Sequence, residues 1–85
     1  MSNELIKDLS TSKSKQEIIR LLASGGATNI SEIAEKIGRD KSTISRHADE
    51  LEEAGLIYRK MGPLNKRKRY LSLTDKGQEA ARRLR

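Results

Sequence analysis

Cysteine is absent from the 85-residue chain, which excludes disulfides and thiolate metal ligation. Phenylalanine and tryptophan are absent too, and the two tyrosines, Tyr58 and Tyr70, read as packing within a pair of strands. A stacking platform for single-stranded nucleic acid therefore has little support. The single histidine, His47, and acids scattered along the chain supply no nucleophile–base pair and no metal cluster. Neither an enzyme nor a cofactor is expected. His47 lies beside an apolar stripe and reads as a partly buried, hydrogen-bonded residue rather than a ligand or pH switch. No apolar run reaches the length of a transmembrane helix. Basic residues cluster in one stretch, but it has no amphipathic apolar face with aromatic anchors, so no membrane partner is expected. Met1 to Ser10 hold two acids against one lysine, unlike a signal peptide.

Acid is missing from one stretch in particular. Residues 56–70 carry Arg59, Lys60, Lys66, Arg67, Lys68 and Arg69 and no carboxylate, whereas residues 1–40 balance to zero and residues 41–55 come to −2. The net charge of +6 is thus concentrated in a short segment, the footprint expected of a protein that meets a polyanion.

Eighty-five residues make one domain. The expected division is an N-terminal extension over residues 1–12 and a folded domain over 13–85. In the extension, Leu5, Ile6 and Leu9 fall on one side of a short helix. Ser14 and Glu17 have capping-box spacing ahead of a helix over about Lys15 to Ser24, with Ile18, Leu21 and Leu22 on one face. Ser31 can cap a second helix holding Ile33, Ala34 and Ile37, which Gly38 ends. Asp40 is a good N-cap for a third helix running to about Ala54, with Ile44, Ala48 and Leu51 as its stripe and Gly55 as its stop. Only Gly38 and Arg39 separate the two helices, so they must cross: a helix-turn-helix. Leu56 to Met61 and Arg67 to Leu73 are strand-like, and Gly62-Pro63-Leu64-Asn65 between them is turn chemistry. Thr74 caps a last helix, about Asp75 to Leu84.

Four pieces in this order resemble the winged helix-turn-helix family, of the kind found in MarR- and ArsR-type transcriptional regulators. They are Ser31-Glu32-Ile33-Ala34; Lys41-Ser42-Thr43-Ile44-Ser45-Arg46-His47; Leu51-Glu52-Glu53-Ala54-Gly55-Leu56-Ile57; and Leu73-Thr74-Asp75-Lys76-Gly77. The resemblance covers roughly residues 15–80. It implies a mainly α fold with a small β-hairpin: a three-helix core, a two-stranded wing and a C-terminal helix. It also implies operator binding by a homodimer, and hence a cytoplasmic, nucleoid-associated protein. Ala48 stands where leucine is more usual, which implies a tighter or shallower contact of the third helix with the core. The chain is shorter than typical MarR-type proteins, without their long terminal dimerisation helices, and has no cysteines of the kind many ArsR-type metal sensors use. Ligand sensing is therefore not carried over.

At about 100° per residue, Ser42, Ser45, Arg46 and Asp49 turn outward opposite the apolar stripe, with Thr43 on the flank. Short hydroxyls allow close approach to a groove floor, and Arg46 can donate two parallel hydrogen bonds to guanine. The helix N-terminus offers N–H groups to a phosphate. Asp49 is ambiguous: it can repel phosphate, accept from a cytosine amino group, or orient Arg46. The expected partner is double-stranded DNA, met by Arg39, Lys41, Ser42, Thr43, Ser45 and Arg46 in the major groove. Arg59, Lys66, Arg67, Lys68 and Arg69 would meet phosphate or the minor groove. The N- and C-terminal apolar residues, among them Leu5, Ala80, Ala81 and Leu84, serve either local packing or a homodimer surface. Competing readings are a non-specific architectural protein, a replication or partition protein, and a winged-helix module that binds other proteins.

Overall fold

Side-chain oxygens placed just ahead of apolar stripes start three of the helices. A computed structural model describes residues 13–61 and 69–84. Its elements are α1 (Lys13–Gly25), α2 (Ile30–Ile37), α3 (Lys41–Glu53), β1 (Ile57–Met61), β2 (Arg69–Leu73) and α4 (Asp75–Arg83). The mainly α architecture with one antiparallel hairpin is the expected one. The segment around Leu5, Ile6 and Leu9, the turn Gly62 to Asn65, and Lys66, Arg67 and Lys68 lie outside the described residues.

Asp40 and Thr74 cap α3 and α4 as expected: Asp40 accepts from the Thr43 N–H, and Thr74 Oγ1 accepts from the Gly77 N–H at 3.0 Å. Two other start signals are corrected. α1 is already helical at Lys13, so Ser14 lies within its first turn. α2 is capped by Asn29 rather than Ser31: the Asn29 Oδ1 accepts from the Glu32 N–H at 2.9 Å, and Ser31 is the second helical residue.

Apolar burial then assembles the elements. α1 packs against α2, α3, α4 and β2, which makes it the central helix. Ile18 and Ile19 are both fully buried and Leu22 nearly so, while Leu21 is half-buried. A helix enclosed on two sides needs a wider apolar face than the single stripe expected from Ile18, Leu21 and Leu22. Ile33, Ile44, Leu51, Leu56, Ile57 and Leu71 complete the large core side chains, each stabilising the fold by roughly 1.5–3 kcal/mol. Ala48 is fully buried, so the small side chain is part of the core.

β1 and β2 pair antiparallel from Ile57↔Leu73 to Met61↔Arg69. Thr28, between α1 and α2, adds a bridge on the other edge of β2: its N–H donates to the Leu71 carbonyl at 3.2 Å, and the Leu71 N–H donates back at 2.6 Å. The root of the hairpin is therefore tied to the chain entering α2 as well as to the core.

Candidate nucleic-acid interface

Gly38 places the third helix. Its φ of 78° is a left-handed conformation that disfavours other side chains. The Gly38 and Arg39 N–H groups both donate to the Ala34 carbonyl, at 2.9 and 3.0 Å. The chain thus turns sharply between α2 and α3, which pack on one another. Burial of Ile44, Ala48 and Leu51 fixes which way α3 faces. Lys41, Ser42, Arg46 and Asp49 are exposed, and Thr43 and Ser45 are half-buried beside them. Arg39 is exposed in the preceding turn. These six expected contact residues, Arg39, Lys41, Ser42, Thr43, Ser45 and Arg46, are thus brought to one helix start and its outer side.

Asp40 organises that start more fully than a simple cap. Its carboxylate accepts from the Ser42 hydroxyl, from the Thr43 hydroxyl at 2.7 Å and from the Thr43 N–H at 3.2 Å. These bonds, the Ser42 hydroxyl first, hold its carboxyl down at about 2. The hydroxyls of Ser42 and Thr43 spend their protons on Asp40 and keep lone pairs for other partners. The expectation of N–H groups offered to a phosphate is narrowed, because Asp40 already takes the Thr43 N–H and adds a negative charge at the helix start. The signal was an acid two and three residues ahead of the two hydroxyls, which sequence reading used only for the cap.

Three acids of α3, Asp49, Glu50 and Glu52, are paired at its later turns. Glu50 Oε1 lies 3.4 Å from His47 Nδ1 and 3.4 Å from Lys15 Nζ on α1. The His47 bond, then Lys15, holds the Glu50 carboxyl below its ordinary range. His47 is half-buried and hydrogen-bonded, as its position implied. Asp49 does not orient Arg46; its Oδ1 accepts from Arg59 Nη2 at 2.7 Å. Arg59 Nη1 also lies 3.5 Å from Glu52 Oε1. Arg59 is thus engaged with α3. Arg46 has no ion-pair partner among the described residues.

On the hairpin, Arg69 is exposed at the start of β2, opposite Met61. Tyr58 is exposed and Tyr70 half-buried. Among the described residues no group of acids, histidines or cysteines could hold a metal ion, and no helix is long and apolar enough to cross a membrane.

Comparison with known proteins agrees with this geometry. The profile of the MarR family matches residues 12–68. An uncharacterised HTH-type transcriptional regulator of Bacillus subtilis, YdgJ, is 31% identical over 68 residues, which is 80% of this chain and 42% of that protein. The crystal structure of Bacillus subtilis YusO superposes with a TM-score of 0.85 at 28% identity, over 95% of this chain and 57% of that one. The PcaV transcriptional regulator of Streptomyces coelicolor, solved with its natural ligand, gives 0.81 at 27% identity, over 86% of this chain and 52% of that one. The chain spans about half the length of these relatives.

Proposed function

Because this chain belongs to the MarR family, we propose that it is a sequence-specific regulator of transcription that reads double-stranded DNA with α3. Ser42, Thr43, Ser45 and Arg46 face base edges in the major groove, and Arg39 and Lys41 lie against the flanking backbone. Lys66, Arg67, Lys68 and Arg69 carry the hairpin to phosphate or the minor groove, where arginine is favoured. Two copies act together as a homodimer on the nucleoid, in the cytoplasm. The observation that supports this most is the outer side of α3. It presents exposed Lys41, Ser42 and Arg46 with half-buried Thr43 and Ser45 beside them, Arg46 having no ion-pair partner among the described residues, directly after the tight turn from Gly38 to Asp40. A module built to dock on proteins would place apolar side chains there.

Selection of bound duplexes from a random library tests the reading. An enriched inverted repeat is expected, and its symmetry reports the dimer. Binding without enrichment would support an architectural, replication or partition role instead. The affinity should fall steeply between about 50 and about 200 mM salt, because log K drops by about 0.9 for each phosphate neutralised. Affinity that stays flat across that range would remove DNA as the partner.

A further inference from the structure

We infer that Arg59 serves DNA binding as a counter-charge for the acids of α3, and not as a phosphate contact. The inference rests on the reading of α3 as the DNA-facing helix.

Arg59 stands in β1, with Leu71 as its strand partner. From there its guanidinium reaches back across the turn at Gly55 to α3, 2.7 Å from Asp49 and 3.5 Å from Glu52. Its side chain is only 23% exposed, against 63% for Asp49 and 43% for Glu52. The cation is thus less exposed than its two acids, with Nη2 donating to Asp49 and Nη1 lying near Glu52. A phosphate contact needs the reverse, a guanidinium presented outward.

Asp49 follows Arg46 by three residues and Ser42 by seven, so it shares their side of α3. An uncompensated carboxylate there would lie beside the DNA backbone and oppose it. Asp49, Glu52 and Arg59 together carry a charge of −1. Without the arginine the same spot carries −2. Glu50 has its own cation in Lys15 and a hydrogen bond with His47, so Arg59 is what Asp49 and Glu52 share. It is a positioning and charge-balancing residue.

A double-mutant cycle separates this role from direct contact. Arg59→Gln should lower affinity for the selected duplex by about three- to tenfold at about 50 mM salt, and by less at about 200 mM as screening grows. Asp49→Asn alone should raise affinity by about twofold or more, since it removes a charge that opposes phosphate. The combination of Arg59→Gln with Asp49→Asn returns the local charge to −1 and should bind within about twofold of the wild type, with the wild-type salt slope. If Arg59 touches a phosphate, its loss persists in the Asp49→Asn background and the salt slope falls by about 0.9 in both backgrounds. That result would overturn the inference, as would a drop in affinity from Asp49→Asn by itself, a readout that does not depend on the Arg59 variants folding. Thermal unfolding of each variant identifies losses that come from the fold alone; an affinity loss for Arg59→Gln that merely tracks its unfolded fraction also counts against the inference. If the wild type shows no salt-dependent duplex binding, it is the DNA reading that fails.

Discussion

The backbone of Gly77 runs so close beneath the carbonyl of Leu56 that a side-chain carbon on Gly77 would collide with it. That carbonyl is itself in use, accepting from the Thr74 N–H at 3.0 Å. The first turn of α4 is therefore pressed against the chain leaving α3, and the contact has no slack.

Gly77→Ala should thus destabilise the protein by ~3 kcal/mol, although alanine is the better helix former. Gly25, at the end of α1, has open space around its added carbon and no positive φ. Gly25→Ala should be neutral or stabilise by about 0.5 kcal/mol. Urea unfolding of the two variants beside the wild type gives both values. Equal effects of the two substitutions would show that the contact at Leu56 does not constrain the fold.

Thr74 joins the same junction. Its hydroxyl donates to the Gly55 carbonyl at 2.6 Å and accepts from the Gly77 N–H. Thr74→Ala removes a cap and a tie between α4 and the end of α3, and should cost about 1–2 kcal/mol. Thr74→Ser keeps both bonds and should recover most of that. Thermal melts of the pair distinguish the hydroxyl from the methyl group.

These junctions mark where sequence reading succeeds and where it stops. Asp40 and Thr74 were legible as caps because a cap is a local device, made within three residues. Ser31 and Asn29 are both capable caps, and the choice between them is tertiary. Thr28 is pinned to Leu71 across the sheet, so the chain is still extended there and turns helical at the next chance. Ile19 was missed because one amphipathic stripe cannot reveal that α1 is covered on two sides. The outward side of α3 was legible from periodicity, but Arg59 looked like one more cation of a basic segment. Its partners lie on a different element, ten and seven residues back, and only the fold brings them to it.

Asp40 should make stability acid-sensitive in a defined window. Its carboxyl is lowered from an ordinary 3.8 to about 2. A group held low contributes stability above its ordinary value and loses it as the pH falls through the lowered one. The wild type should exceed Asp40→Asn in unfolding midpoint at pH 5, and the gap should close between about pH 4 and about pH 2. A gap that is constant across this range would mean that the carboxylate bonds to Ser42 and Thr43 do not persist in solution.

Arg46 and the basic hairpin should separate in what they supply. Arg46→Ala should cost about 1–3 kcal/mol on the selected site and little on random duplex, since a bidentate contact to guanine discriminates. Lys66→Ala and Lys68→Ala should weaken binding to both duplexes alike, each lowering the salt slope by about 0.9 where a phosphate contact is lost. Titrations on the two duplexes at two salt concentrations check all three. Equal losses from Arg46→Ala on selected and random DNA would reassign it to the backbone.

Leu71 bonds to Thr28 on one edge and faces Arg59 on the other. On the proposed reading this makes each copy a caliper with welded jaws. One jaw is α3, the other is the hairpin, and the weld is the backbone of β2 fastened to the segment that leads into the helix-turn-helix. The span between α3 and the base of the hairpin, β1 and β2, then belongs to the fold. A duplex whose grooves sit at another spacing must itself bend or twist to be gripped, so its stiffness enters the selection at base pairs that no side chain touches.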